Sequence, residues 1–433
     1  MEKEVIATIM IVGIFLVLLF MRTPIVFAIG FSTLATVIYL GVPLMMVAQM
    51  MVKNINTFTL MAVPFFILAG EIMSAGGIAK RIVGFANALV GWMRGGVAMV
   101  NCVASMFFGG ISGSSAADTA ALGSLEIPMM VKQGYEPEFS TNLTMATSVQ
   151  GILIPPSHNM VTYSLVAGSI SVGRLFLGGF IPGVLLGVSM MIYSYYVAVK
   201  KNYPVGDKFS LKILWKTFVD AAWGLLTIII IMGGVVTGWF TATESAAIAV
   251  VWAIFVTFFI YKEIPLKEIW NILGRSLHTL CMVMILIGTS GAFAWVLSYL
   301  RVPVLISNAI FGLSSNRIVI ILTLNFIMLF LGTMLDMSAI ILIATPVLLP
   351  IAQKVGFDSV HFGIVMMLNL GIGLLTPPVG STLFIGSAIS GIKIERLSRT
   401  LLPFWGVMLL VLGLITFIPQ IVMFLPDLLM PIK

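Results

Sequence analysis

The chain alternates between long apolar stretches and short polar segments, which is the pattern of a protein that crosses a membrane many times. A helix needs about 20 apolar residues to span the hydrocarbon core. Each stretch of about this length is predicted to be a crossing, so the predicted fold class is an all-α polytopic membrane protein. The stretches are 5–21, 24–41, 57–77, 139–170, 173–198, 218–236, 240–261, 277–299, 360–390 and 401–425.

Two further apolar regions, 95–131 and 317–353, are each interrupted near the middle by small and polar residues. The interruptions are Gly109–Ser115 and Gly332–Asp336. Non-helical backbone at membrane depth is tolerated only where protein buries it or water lines it. Each region therefore predicts a re-entrant hairpin of two short helices that enters and leaves on one face.

The two halves of the chain repeat each other. A shift of 222 residues places 106–175 on 328–397 without a gap, and 15 of the 70 positions are identical, including both Pro-Pro pairs. Five crossings per half is an odd number, so the second copy is predicted to be inverted, as in secondary transporters. Repeat 1 is predicted at 1–198, with its hairpin at about 95–131 and a broken helix at about 139–170. A cytoplasmic basic linker follows at 199–217. Repeat 2 is predicted at 218–433, with its hairpin at about 317–353 and a broken helix at about 360–390.

Composition strengthens the membrane assignment. Apolar residues make up 60% of the chain and charged residues only 9%, against about 25% charged in a soluble domain. These values exclude a soluble enzyme and a nucleic-acid binder, so the net charge of +7 concerns loops and orientation. Of the 23 Lys and Arg residues, sixteen share a side with the linker, which places the linker in the cytoplasm and both termini in the periplasm. Cys102 and Cys281 are predicted to be small core residues.

Two predicted helices are broken in mid-membrane by paired prolines, at Pro155-Pro156 and at Pro377-Pro378. Proline removes a helical hydrogen bond, so each break should expose carbonyls that suit Na⁺ and a helix N-terminus that suits a carboxylate. Each hairpin tip can face the break of its own repeat, which predicts at least two sodium sites. The first combines Ser112, Gly113, Ser114 and Ser115 with Gly151 and Pro155, and the second combines Gly332, Thr333 and Asp336 with Gly373, Thr376, Pro377 and Gly380.

A substrate is predicted to lie between the two sodium sites. The predicted substrate contacts are Ser112, Ser157, Asn159, Ser381 and Thr382. The alternative is that these small residues only permit close helix packing. No catalytic residue and no Cys/His metal-binding pattern is assigned, so the chain is not expected to be an enzyme.

The intramembrane carboxylates are interpreted individually. Asp336 is predicted to be functional, with an N-cap role as the alternative. Asp118 is predicted to be structural, because it is the fourth residue of a capping-box spacing that begins at Ser115. Glu244 has the same spacing from Thr241 and the same interpretation.

At these motifs the chain resembles a known family. The runs Gly109–Gly134 and Ala167–Gly183, the two Pro-Pro breaks and the segment Pro64–Glu71 are similar to the large, DctM-like membrane subunit of tripartite ATP-independent periplasmic (TRAP) transporters. The resemblance covers essentially the whole chain. It implies a scaffold and an elevator-type transport domain, and Na⁺-coupled uptake of an organic acid such as a C4-dicarboxylate or a sialic acid. It also implies that Ser112, Ser157 and Asp336 lie near substrate and sodium.

The same resemblance implies partners and a location. A soluble periplasmic binding protein would deliver the substrate to the outer face, where Arg301, Arg317 and Lys354 are candidate contacts. A small four-helix membrane subunit would support the scaffold, and we expect it to be a separate polypeptide because this chain begins directly with repeat helices. The expected location is the bacterial inner membrane.

Three other functions fit parts of the pattern. A proton-coupled carrier could use Asp336 or His158, and a passive anion channel is a second alternative. An intramembrane serine protease is the third, because Gly110–Gly113 matches a Gly-x-Ser-Gly nucleophile pattern and His158 follows. The second repeat has Met334 and Gly380 at the matching positions, which disfavours a protease. Sodium is preferred to protons because neutral oxygens suit a hard cation.

Overall fold

A computed structural model describes residues 2–21, 23–168, 170–206, 208–377 and 379–431. Over these residues the chain folds into a bundle of helices. The first half contains α1 (Glu2–Phe20), α2 (Ile25–Leu40), α3 (Met45–Ile55), α4 (Ala62–Ala75), α5 (Ile78–Val90), α6 (Gly96–Ser112), α7 (Ser115–Lys132), α8 (Pro137–Ser148), α9 (Gln150–Leu153), α10 (His158–Val166) and α11 (Val172–Lys200). Arg22 and Lys433, which the charge count used, and Pro378 of the second break lie outside the described residues.

The second half has a similar order of elements. It contains α12 (Leu211–Thr237), α13 (Ala242–Ile254), which continues as a π-helix to Tyr261, α14 (Ile269–Tyr299), α15 (Val302–Leu313), α16 (Arg317–Met334), α17 (Met337–Lys354), α18 (Ser359–Gly373), α19 (Ser381–Ser390), α20 (Ile394–Phe417) and α21 (Pro419–Leu429). Eight of the described helices are long and apolar enough to cross a membrane, or nine if a bent pair is counted as one span. The all-helical, polytopic membrane class is therefore confirmed.

Several boundaries differ from the prediction. The stretch 57–77 was predicted as one crossing, but α4 ends at Ala75 and α5 continues at an angle of 70°. The amphipathic helices α3 and α5 were missed because their apolar faces are too narrow to read as spans. The arms of the hairpins have 17 or 18 residues, so each is about 27 Å long rather than short.

The linker is shorter than its polar composition suggests. Helix α11 runs to Lys200 and α12 begins at Leu211, so only 201–210 connect them. Cys281 is exposed on α14, which makes its predicted core position wrong, whereas Cys102 is buried as expected. The Thr241–Glu244 capping box is confirmed at the start of α13.

Hydrogen bonds and an ion pair between side chains hold neighbouring helices together inside the bundle. The buried guanidinium of Arg174 on α11 donates to Asp427 at 2.6 Å and to the carbonyls of Pro426 and Met430. These bonds dock α21 against α11. Helices α6 and α7 form hairpin 1, and α16 and α17 form hairpin 2. Inside the bundle, Asn101 on α6 donates to Glu126 and to Thr144, which joins hairpin 1 to α8.

Candidate functional site

The tip of hairpin 1 lies directly on the first helix break. Helix α6 ends at Ser112, and Gly113 takes a left-handed conformation with φ of +63°. A Cβ atom on Gly113 would lie 2.7 Å from the carbonyl oxygen of Pro156, so only glycine permits this approach. A Cβ on Gly110 would lie 3.2 Å from the oxygen of Pro155. The predicted partners of the first sodium site are therefore brought together, with break carbonyls at the tip.

The break itself separates α9, which ends at Leu153, from α10, which begins at His158. Gly151 lies next to hairpin 1, because a Cβ on Gly109 would lie 2.6 Å from the Cα atom of Gly151. Ser157 precedes α10 and is fully buried, and its hydroxyl has no hydrogen-bond partner. A buried polar atom without a partner is costly, so this hydroxyl is available to a ligand.

Asp118 does not form the predicted capping box. Ser114, not Ser115, caps α7, through a contact with the amide of Ala117. The Asp118 side chain is fully buried, and it accepts a hydrogen bond from the hydroxyl of Ser112. Its other oxygen, Oδ2, has no partner and would lie 2.2 Å from a Cβ on Gly151. Asp118 therefore places a free carboxylate oxygen between the hairpin tip and the broken helix.

The second repeat brings its predicted residues together in the same way. A Cβ on Gly373, the last residue of α18, would lie 2.6 Å from the Cα atom of Gly332. The amide of Val379 donates to the carbonyl of Thr333 at 3.0 Å, which ties the break to the hairpin. Carbonyl oxygens of Leu374 and Thr376 lie 3.2 and 3.0 Å from a Cβ built on Gly380.

Two predicted residues of the second site have other roles as well. The hydroxyl of Thr376 donates to the carbonyl of Ile372 at 2.8 Å, so it already has a partner. Pro377 lies at the break and is exposed. Asp336 is the N-cap of α17 and accepts from the amide of Ser338 at 2.9 Å, which is the alternative considered for it. Its side chain is nevertheless exposed to a cavity.

A cavity of about 840 Å³ lies between the two hairpin tips and helices α2, α4 and α14. Its volume falls within the range of small-molecule binding sites, and its wall is mostly apolar with a few polar groups. Both repeats contribute polar residues to it: Ser112, Ser114, His158, Asp336 and Ser338.

The other predicted substrate contacts lie behind this wall. Asn159 accepts from the hydroxyl of Ser338 at 3.2 Å, and Thr382 contacts the hydroxyl of Ser115 at 3.2 Å. Ser381 begins α19 and is half-buried. Ser157, Asn159, Ser381 and Thr382 do not line the cavity, so Ser112 is the predicted contact that does.

The cavity extends toward the end of the bundle where α4 ends and α14 begins. A second cavity of about 600 Å³ shares Glu71 and Thr279 with it. Glu71 pairs with Arg275 at 3.5 Å at this opening.

The arrangement does not resemble a serine protease. The hydroxyl of Ser112 donates to Asp118 and not to His158. The geometry instead consists of two hairpin tips, two broken helices and one shared cavity, which are the features of a membrane transport protein.

The family of the chain follows from comparison with known proteins. Residues 12–421 match the tripartite ATP-independent periplasmic transporter, DctM component. The chain belongs to this family, so the resemblance seen in the sequence is confirmed, and it is a transport protein rather than an enzyme.

Two relatives and one solved structure illustrate the match. The C4-dicarboxylate TRAP transporter large permease protein DctM of Pseudomonas aeruginosa is 41% identical over 86% of this chain and 86% of its own length. The sialic acid TRAP transporter large permease protein SiaM of Vibrio cholerae is 38% identical over 95% of this chain and 96% of its own. The fold is similar to that of the YdaH transporter of Alcanivorax borkumensis, with a TM-score of 0.61 and 12% identity over 85% of this chain and 86% of that chain.

Proposed function

We propose that the chain is the membrane permease of a sodium-driven uptake system for an organic acid anion, of the C4-dicarboxylate or sialic acid class. The observation that carries the proposal is the paired contact of each hairpin tip with a helix break, beside one cavity. The relatives named for C4-dicarboxylates and for sialic acid support the substrate class. The proposed location is the bacterial inner membrane, with both termini in the periplasm.

The oxygens at the hairpin tips fit sodium. The first site offers the Oδ2 atom of Asp118 and the hydroxyl of Ser157, which are both buried without a partner. The second offers carbonyls at the break and the carboxylate of Asp336 at the cavity. Hard cations prefer oxygen ligands, and bound cations at these two sites would offset the cost of an anion next to two carboxylates.

An elevator movement is supported by bonds that join the two repeats. The hydroxyl of Ser115 in hairpin 1 contacts Thr382 of the second broken helix. Ser338 in hairpin 2 donates to Asn159 of the first broken helix. Tyr163 on α10 donates to the carbonyl of Ser359 at 2.7 Å. Hairpins and broken helices are thus bonded crosswise, so we propose that they move as one body past the remaining helices.

Partners follow from the family assignment. We propose that a periplasmic binding protein delivers the substrate and that a small membrane subunit supports the scaffold. Arg301, Arg317 and Lys354 are the proposed docking cations. Of these, Lys354 is held by the hydroxyl of Ser307 at 3.2 Å.

Reconstitution into liposomes with both partners tests the function. We expect uptake of radiolabelled succinate or N-acetylneuraminate when sodium is outside, and none when potassium replaces it. Ser112→Ala should abolish most uptake, whereas Ser124→Ala, on the exposed side of α7, should not change it. Uptake driven by a pH gradient without sodium would instead establish the proton-coupled alternative, and equal uptake in all salts would contradict coupled transport.

A further inference from the structure

A separate cavity of about 660 Å³ lies at the end of the bundle that carries the linker. Linker residues 204–206 and 208–210 fold over α5 and over the base of hairpin 1. The amide of Gly95 donates to the carbonyl of Pro204 at 3.0 Å, and Arg94 pairs with Val205 as an isolated β-bridge. The wall of the cavity therefore includes both the linker and the hairpin.

Unpaired cationic and polar side chains line this cavity. Lys80 and Lys208 are both exposed, and neither forms an ion pair or a hydrogen bond within the described part of the chain. Asn87, Gln133 and Ser210 add side-chain donors that have no bonded partner there either. No carboxylate lines the cavity among the described residues. Its lining is thus suited to an anion with several oxygen atoms.

Two neighbouring cations, unlike Lys80 and Lys208, have ion-pair partners. Arg81, next to Lys80, pairs with Glu263 at 2.7 Å and lies over the ring of Tyr261. Lys201, at the start of the linker, pairs with Glu136. Arg81 and Lys201 are thus neutralised by partners, whereas the two lysines of the cavity are not.

Exposed aromatic side chains lie at the rim of the cavity. Trp92 is 47% exposed and Phe209 is 51% exposed beside it, and Trp215 on the adjoining turn of α12 is 68% exposed. Exposed aromatic side chains at the end of a membrane bundle mark the boundary between hydrocarbon and headgroups. The charge pattern places this end in the cytoplasm, where the leaflet carries anionic lipid.

We propose that this cavity binds the phosphate-bearing headgroup of an anionic phospholipid, which Lys80 and Lys208 hold between the linker and the base of hairpin 1. Basic cavities between helices on the cytoplasmic side are a recognised form of lipid headgroup site. The proposal does not depend on the transported substrate or on sodium.

Lipid titration of the purified, delipidated chain in detergent tests this site. The readout is the melting temperature as dioctanoyl phosphatidylglycerol is added, with dioctanoyl phosphatidylcholine as the neutral comparison. We expect a saturable rise with phosphatidylglycerol only. In the double variant Lys80→Gln and Lys208→Gln the half-saturating concentration should increase about thirty-fold, because each lysine contributes about 1 kcal/mol toward an anionic headgroup.

A matched control removes the same charge elsewhere. Lys200→Gln with Lys216→Gln changes two exposed lysines that do not line the cavity, and this variant should respond like the original protein. Equal weakening in both double variants, or a response to both lipids alike, would overturn the proposal. An equal rise with inorganic phosphate alone would assign the cavity to a soluble anion and overturn the lipid assignment.

Discussion

Replacing Gly373 by alanine tests whether the contact between the tip of hairpin 2 and the second helix break forms a sodium site or only packs two helices together. A Cβ at this position would lie 2.6 Å from the Cα and C atoms of Gly332 and 2.8 Å from its oxygen. Ordinary contact begins at about 3.4 Å, so the tip of hairpin 2 must retreat by 3.4 − 2.6, or about 0.8 Å. Both sides of the contact are backbone, which cannot rotate away as a side chain can.

The size of the effect follows from the cost of overpacking, which is about 1–3 kcal/mol. If sodium binds only when the tip rests on the break, this cost weakens its apparent affinity by about 5- to 150-fold. The assay is the melting temperature of the purified chain as NaCl replaces choline chloride at constant ionic strength. We expect the half-saturating sodium concentration of Gly373→Ala to increase at least five-fold.

Gly406→Ala is the matched control for this substitution. Gly406 lies within α20, and a Cβ there would meet nothing within 4 Å. Alanine in a helix interior is favoured over glycine by up to about 1 kcal/mol, so the control should melt at the same or a higher temperature with unchanged sodium dependence. An unchanged sodium dependence in Gly373→Ala would refute the second cation site.

Four further substitutions test other parts of the account. Asp118→Asn keeps the shape of the buried side chain but removes its charge, and should shrink the sodium-dependent melting shift to the part that the second site supplies, while the chain still inserts into the membrane. Asp336→Ala should cost about 1 kcal/mol as a lost N-cap and should also lower uptake, whereas a purely structural role would leave uptake per folded molecule unchanged. Arg174→Met should lower the melting temperature by several degrees, because it leaves the buried carbonyls at α21 unpaired. The hydrogen bond from Lys201 to Glu136 raises the pKa of the lysine. The stability that this bond contributes is complete below the ordinary lysine pKa of about 10.4 and is lost as pH rises through the higher folded value. The melting temperature of Lys201→Met should therefore fall less steeply with pH than that of the original protein, and only above a pH of about 10.4.

Local breakers of helices made much of the architecture predictable. Gly109–Ser115 and Gly332–Asp336 contain the residues that end a helix, and the structure turns the chain at both. The Pro-Pro pairs act locally too, so the ends of α9 and α18 fall close to the predicted breaks. These features depend on a few neighbouring residues, which is why one sequence is enough to locate them.

The role of Asp118 was not predictable from spacing alone. Its distance from Ser115 fits a capping box, but the helix begins one residue earlier than that motif requires, with Ser114 as the cap. The carboxylate then faces Gly151, 33 residues away, and only the packing of α7 on α9 shows this. The rule that an intramembrane carboxylate is functional by default was the signal that could have made Asp118 a candidate for the first site.

Contacts between the repeats were also beyond sequence reasoning. The bonds Ser115–Thr382 and Asn159–Ser338 join residues 267 and 179 positions apart. Their pairing depends on how two hairpins and two broken helices pack. For the same reason the sequence placed Ser157 and Thr382 at the substrate, whereas the structure buries them behind the cavity wall.

Melting of the purified chain in NaCl, KCl and choline chloride at equal ionic strength tests the central claim most directly, because it requires no knowledge of the substrate. A ligand that binds only the folded state raises stability by RT ln(1 + [L]/Kd). The account predicts a rise specific to sodium that shrinks in Asp118→Asn, which removes the first site, and in Gly373→Ala, which weakens the second. The same melting temperature in all three salts would contradict preformed sodium sites at the hairpin tips.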